Sequence, residues 1–154
     1  MTDAERRTVP RAPKEARHRA REAALQMLYQ WEVGRLPLPD VRETFWSHDD
    51  EATSPLAGDL RTFAMGLADG VVSTVEQLDP LITEAAEHWR IERMNVMDRL
   101  ILRLAVYEFL HQTATDAKVI IDEALELAHS FSGDDSVRFI NGILDAVRRK
   151  LERE

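Results

Sequence analysis

The sequence predicts an all-α protein, a compact bundle of about seven helices. Three observations carry that expectation. Apolar residues recur with a helical period along most of the chain. No run alternates for long enough to make a strand. Capping and breaking residues recur between the periodic segments. Composition is compatible: 154 residues, 44% hydrophobic and 31% charged, with only six Gly and six Pro, suit one globular domain with a real core.

Residues 1–13 contain Pro10 and Pro13 and little apolar content. They read as a flexible basic arm ahead of a single helical domain over 14–154. The first helix runs from Lys14 to Val33, with Gly34 as C-terminal cap and "RLPLP" as a stop. A short helix near Asp40–Ser47 follows, N-capped by Asp40. "HDDEATSPLAG" reads as a loop, and Ser54 and Pro55 announce a long helix from about Ala57 to Leu78. Asp79-Pro80 has the form of an N-cap and a first-turn proline, opening a further helix that ends near Trp89. "NVMD", Asn95 to Asp98, has capping-box-like spacing and opens "RLILRLAVYEFL". That helix is apolar nearly all round, as a central helix is. Arg99 and Arg103 are expected at its exposed end or paired with acids of adjacent helices. Two more helices, about Ala117–Ser130 and Asp135–Glu152, complete the bundle, with Gly133 as a breaker and Asp134 or Asp135 as a cap. Gly142 lies inside the last one, where glycine costs about 1 kcal/mol relative to alanine, and reads as a close-packing site.

Helical phase sorts the side chains. Ala20, Ala24, Met27, Leu28 and Trp31 share one arc of the first helix, while Leu25 and Tyr29 fall away from it. Val137, Ile140, Leu144, Val147 and Leu151 form the stripe of the last helix, and Phe139 lies roughly 110° off its centre. Tyr29 and Phe139 are therefore expected off the core.

The chemistry points to binding. Without cysteine, disulfides, thiolate catalysis and Cys-ligated zinc are excluded. His18, His48, His88, His111 and His129 have no metal-ligand spacing, and no phosphate loop or nucleophile motif is present. No enzyme, cofactor or metal is expected. Absence of an apolar run near 18 residues argues against a membrane span or secretory signal, so a cytoplasmic location is expected.

Charge is unevenly spread. Residues 1–21 hold seven Lys/Arg against three acids, a net of +4, while the chain as a whole carries −8. A basic end on an acidic body points to nucleic acid. Arg17 and Arg21 lie four apart and face one way, with Arg19 on another side and His18 between, an arrangement able to straddle a phosphate backbone. Cations at a helix N-terminus oppose the macrodipole, a conflict that a bound polyanion relieves. Exposed aromatics such as Tyr29 and Phe139 suit stacking on unpaired bases or anchoring a protein.

Three stretches, "ARHRAREAALQMLYQWE", "DRLILRLAVYEFL" and "KVIIDEALELAHSFSGDDSVRFINGILDAV", resemble the NusB family of bacterial transcription antitermination factors, in the family's order. The block Ile121 to Asp145 is the most specific. The resemblance implies an N-terminal three-helix and a C-terminal four-helix subdomain. It also implies binding of single-stranded boxA RNA in nascent ribosomal RNA, together with the ribosomal protein NusE, so that RNA polymerase resists termination. The arginine-rich motif carries onto Arg17, His18, Arg19 and Arg21, with His18 departing from a frequent arginine. Tyr29 and Phe139 match aromatics at the RNA and NusE surface, Asp135 an acidic position near the RNA, and Asp98 one facing NusE. Some relatives self-associate, and an exposed aromatic face suits a homodimer. The other readings open to the sequence are an RNA-binding module of an RNA-modifying enzyme and a helical interaction scaffold.

Overall fold

A computed structural model describes residues 14–47, 56–87 and 89–153. They form six α-helices, α1 Lys14–Gly34, α2 Leu38–Trp46, α3 Asp59–Ala85, α4 Val96–His111, α5 Ala117–Phe131 and α6 Asp134–Lys150, with a 3-10 turn Ile91–Arg93 before α4. Among the described residues there is no strand. None of their helices is long and apolar enough to cross a membrane. The readings for the arm 1–13, for His48–Pro55 and for His88 lie outside the described residues.

The near-continuous apolar character of α4 has the expected consequence. Leu100 to Val106 are buried without interruption, and α4 packs against α1, α3, α5 and α6. Phe109, Leu67, Leu78, Ile82, Ile120 and Leu144 complete a core continuous through these helices. Burying each large aliphatic side chain contributes about 1.5–3 kcal/mol.

Several local expectations are corrected. The helix predicted to begin at Asp79-Pro80 does not exist separately, because α3 runs through Pro80 to Ala85. Leu78 and Ile82 are both fully buried on α3, and Asp79 pairs with Arg103 instead of capping. Packing here overrides the break that proline favours. At the end of α1 the left-handed residue is Arg35 (φ 55°), one position beyond Gly34. α2 begins at Leu38 after Pro37, with no side-chain cap, so Asp40 lies in its first turn. Gly133 (φ 147°) is the N-cap of α6, and Asp134 and Asp135 occupy its first turn, where the helix dipole favours acids. Leu25 is fully buried, against its assignment to the outer arc. α1 packs against α2, α3 and α4, so more than one arc of it is covered. Trp31, Val137 and Leu151 are only partly buried.

The glycine reading also changes. Gly142 is exposed, and a Cβ there would meet nothing within 4 Å. The close helix crossing is at Gly70 on α3, where a Cβ would run into the Tyr107 ring of α4. Tyr107 is itself stacked on His111 at 4.6 Å.

Charges of α4 and α1 are paired across the bundle. Arg21 of α1 is 3% exposed. Its Nε donates to Glu108 Oε2 at 2.9 Å and its Nη2 to Oε1 at 2.8 Å. Burial disfavours the Arg21 charge, yet hydrogen bonding to Glu108 and the pull of Glu108 and Glu123 outweigh it and raise its pKa. The guanidinium also lies 5.5 Å from the centre of the Phe63 ring. Arg103 of α4 makes the matching fork onto Asp79 of α3, at 2.8 and 2.9 Å, and Arg99 donates to Glu32 of α1 at 3.0 Å. The expected pairing of Arg99 and Arg103 with acids of adjacent helices is what the structure has.

Two sets of outcomes follow from these contacts. In denaturant titrations, Arg21→Ala should lower stability by about 3–5 kcal/mol, because it strands Glu108 in the interior. Arg21→Met combined with Glu108→Leu should cost less than either truncation alone. Gly142→Ala should raise stability by up to about 1 kcal/mol, whereas Gly70→Ala should lower it by roughly 1–3 kcal/mol through overpacking against Tyr107.

Candidate nucleic-acid interface

The arginine-rich start of α1 divides into outward and inward residues. Arg17 is exposed and has no ion pair among the described residues. Arg19 is exposed and pairs with Glu15, four residues before it, at 3.0 Å. Arg21 lies on the same side of α1 as Arg17, and the two line one cleft of about 420 Å³, but its guanidinium is buried and committed to Glu108, so the expectation that it faces phosphate is corrected. An interior carboxylate 87 residues away claims its fork. His18 is also largely claimed: Nδ1 lies 2.6 Å from Glu123 Oε2 and 3.4 Å from Glu126, and Nε2 lies 3.0 Å from Glu22.

His18, Glu123 and Glu126 are the kind of group that can hold a cation, with ligand atoms all within 4.8 Å of one another. The Arg21 Nη1 atom, 3.9 Å from Glu123, already supplies positive charge beside that carboxylate. The group is accounted for as a hydrogen-bonded clasp between α1 and α5. Next to it, Lys14, His18, Asp122, Glu126, Asp134 and Arg138 rim an open cleft of about 790 Å³ between α1, α5 and the start of α6. Its lining mixes both signs of charge. The outward basic edge of the described helix is therefore Lys14, Arg17 and Arg19.

Tyr29 lies twelve residues further along α1, about 18 Å from Arg17 at 1.5 Å per residue. It is 40% exposed, as its helical phase predicts. It shares a mainly apolar cleft of about 430 Å³ with Gln26, Gln30, Phe45, Met97 and Phe131. Asp98, the residue after Met97, is expected at the surface and is instead buried. It accepts hydrogen bonds from Ser132 at 2.9 Å and Ser136 at 3.0 Å. Only the Asn95 half of the predicted capping box forms, to the Met97 amide at 2.8 Å. Asp98 thus acts behind the surface. It ties the wall of the Tyr29 cleft to the first turn of α6, which carries Asp135 and Phe139.

Asp135 is fully solvated and pairs with Arg138 at 2.7 Å. Phe139 is half-buried, with its ring edge-to-face against Trp89 at 5.9 Å between centres. Sequence reasoning missed Trp89. Its signal was available: it sits in "HWRIER", outside any strong helical phase and beside two arginines.

The chain can be compared with known proteins on this footing. The model of the NusB family matches residues 18–149. The transcription antitermination protein NusB of Solibacter usitatus (strain Ellin6076) is 46% identical over 136 residues, covering 88% of this chain and 90% of that protein. Its counterpart from Koribacter versatilis (strain Ellin345) is 44% identical over 138 residues, covering 90% and 92%. Among solved structures, T. maritima NusB superposes with a TM-score of 0.77 at 32% identity, over 87% of this chain and 91% of the other. A crystal structure of antitermination factors NusB and NusE in complex with double-stranded RNA has the same fold. Its TM-score is 0.77 at 21% identity, over 88% of this chain and 98% of the other. With a family match spanning nearly all the described helices and relatives named for transcription antitermination this similar over most of both lengths, the chain belongs to the NusB family.

Proposed function

We propose that the protein is a cytoplasmic transcription antitermination factor. It binds single-stranded boxA RNA in nascent ribosomal RNA transcripts together with the ribosomal protein NusE, and so helps RNA polymerase resist termination. The observation that carries this reading is the 46% identity, over most of both chains, to a protein named for transcription antitermination. The solved complex of NusB and NusE with double-stranded RNA supports RNA and NusE as the classes of partner. An exposed tyrosine and a short outward basic edge support unpaired RNA, whose bases offer free faces for stacking.

In this reading Lys14, Arg17 and Arg19 take phosphates, while Tyr29 and Phe139 meet bases or NusE. Asp135 lies beside the RNA, and His18 keeps the basic end of α1 fastened to α5. Arg21 and Asp98 serve by holding the helices that carry the surface.

Fluorescence anisotropy with labelled boxA RNA tests it. If Lys14, Arg17 and Arg19 each neutralise one phosphate, log K against log[salt] should have a slope of about −2.1 or steeper, and Arg17→Gln should reduce it by about 0.7. A slope of zero would sink the RNA reading. Tyr29→Ala should weaken binding of boxA RNA, of NusE, or of both, with no change in melting temperature beyond a few degrees. Melting of the domain by this change would make Tyr29 a core residue.

A further inference from the structure

Trp89 is the most exposed of the large hydrophobic side chains described, at 54%. It does not hang on a loose loop. Its amide donates to the Ala86 carbonyl at 3.2 Å, Ile91 and Met94 after it are buried, and Arg99 donates to the Ile91 carbonyl at 3.3 Å. Its ring stands edge-on to Phe139, 5.9 Å between centres and 73° between planes, so the two aromatics form one surface feature.

Immediately after Trp89, Arg90 and Arg93 line an open cleft of about 510 Å³ with Thr83, Ile91 and Glu92. Neither arginine has an ion pair among the described residues. Arg42, Arg99, Arg103, Arg138 and Arg148 each have one. In a chain with 28 acids, two neighbouring arginines without ion pairs among the described residues mark a place where an anion from outside is expected. Glu92 opposes an anion there, leaving the cleft with a net charge of +1 among its lining residues.

We propose that Trp89, Arg90 and Arg93 form a further contact for single-stranded RNA, in which one base stacks on the exposed indole and its phosphate engages the two guanidinium groups. The inference rests on the RNA-binding reading above and extends it by one nucleotide site beyond Phe139. A tethered indole suits this role because it presents a stacking face at little conformational cost, and arginines beside it hold the backbone.

The test uses the full chain, boxA RNA and NusE in separate binding titrations. Trp89→Ala should weaken RNA binding about 5- to 150-fold, the range for losing one stacked base. Trp89→Tyr should retain most of the affinity. Arg90→Gln with Arg93→Gln should reduce the salt slope by up to about 1.4. Trp89→Ala should leave NusE binding in the absence of RNA unchanged. The loss should also persist when Trp89→Ala is added to Phe139→Ala, because a residue that only braces Phe139 would add nothing there. Wild-type affinity for RNA in Trp89→Ala, no added loss in the double variant, or a loss confined to NusE would each overturn the inference while leaving the RNA-binding reading standing. If the wild-type chain fails to bind RNA at all, both fail together.

Discussion

The structure depends on a constraint at its centre: α4 is buried on every side, yet carries ionised groups. An unpaired interior charge costs several kcal/mol, so each needs a partner from a surrounding helix. Glu108 takes Arg21 of α1, Arg103 takes Asp79 of α3, Arg99 takes Glu32 of α1, and Asp98 takes two serines at the junction of α5 and α6. Apolar burial draws the helices together, but it is nearly indifferent to rotation about α4. The pairings are directional, and each fixes the rotation and axial position of one neighbour.

Those pairings also decide what reaches the surface. Once Arg21 is committed to Glu108, Arg19, two residues earlier on α1, is turned to the opposite side, while Arg17, on the Arg21 side, stays exposed at the mouth of the cleft they share. Once Asp98 holds Ser132 and Ser136, the start of α6 is fixed beside Phe131 and Met97, and Asp135 and Phe139 are carried with it. The acidic body confines the basic edge further, since His18 and Arg19 both have carboxylate partners. A binding surface built from few free cations and several exposed aromatics is what remains.

The fold class, the extents of α1, α5 and α6, and the central position of α4 were legible from apolar periodicity, because burial of a helix face is encoded locally. The exposure of Tyr29 was legible for the same reason. Leu25 was not, because a helix packed on three neighbours buries more than the single arc a wheel identifies. Pro80 and Gly142 misled for a related reason: local preferences for breaking or packing are small beside the contacts that the whole bundle makes. The roles of Arg21 and Asp98 were invisible locally, since the same arginine serves RNA or structure according to what faces it.

By itself, the sequence determined an all-helical chain, a central helix, and the family to which the chain belongs, because periodicity and motif order survive without knowledge of contacts. Only the tertiary structure decided which charges are spent inside. It turned Arg21 and Asp98 inward and left Trp89, Arg90 and Arg93 outside, because the partner that neutralises a charge lies on another helix, tens of residues away.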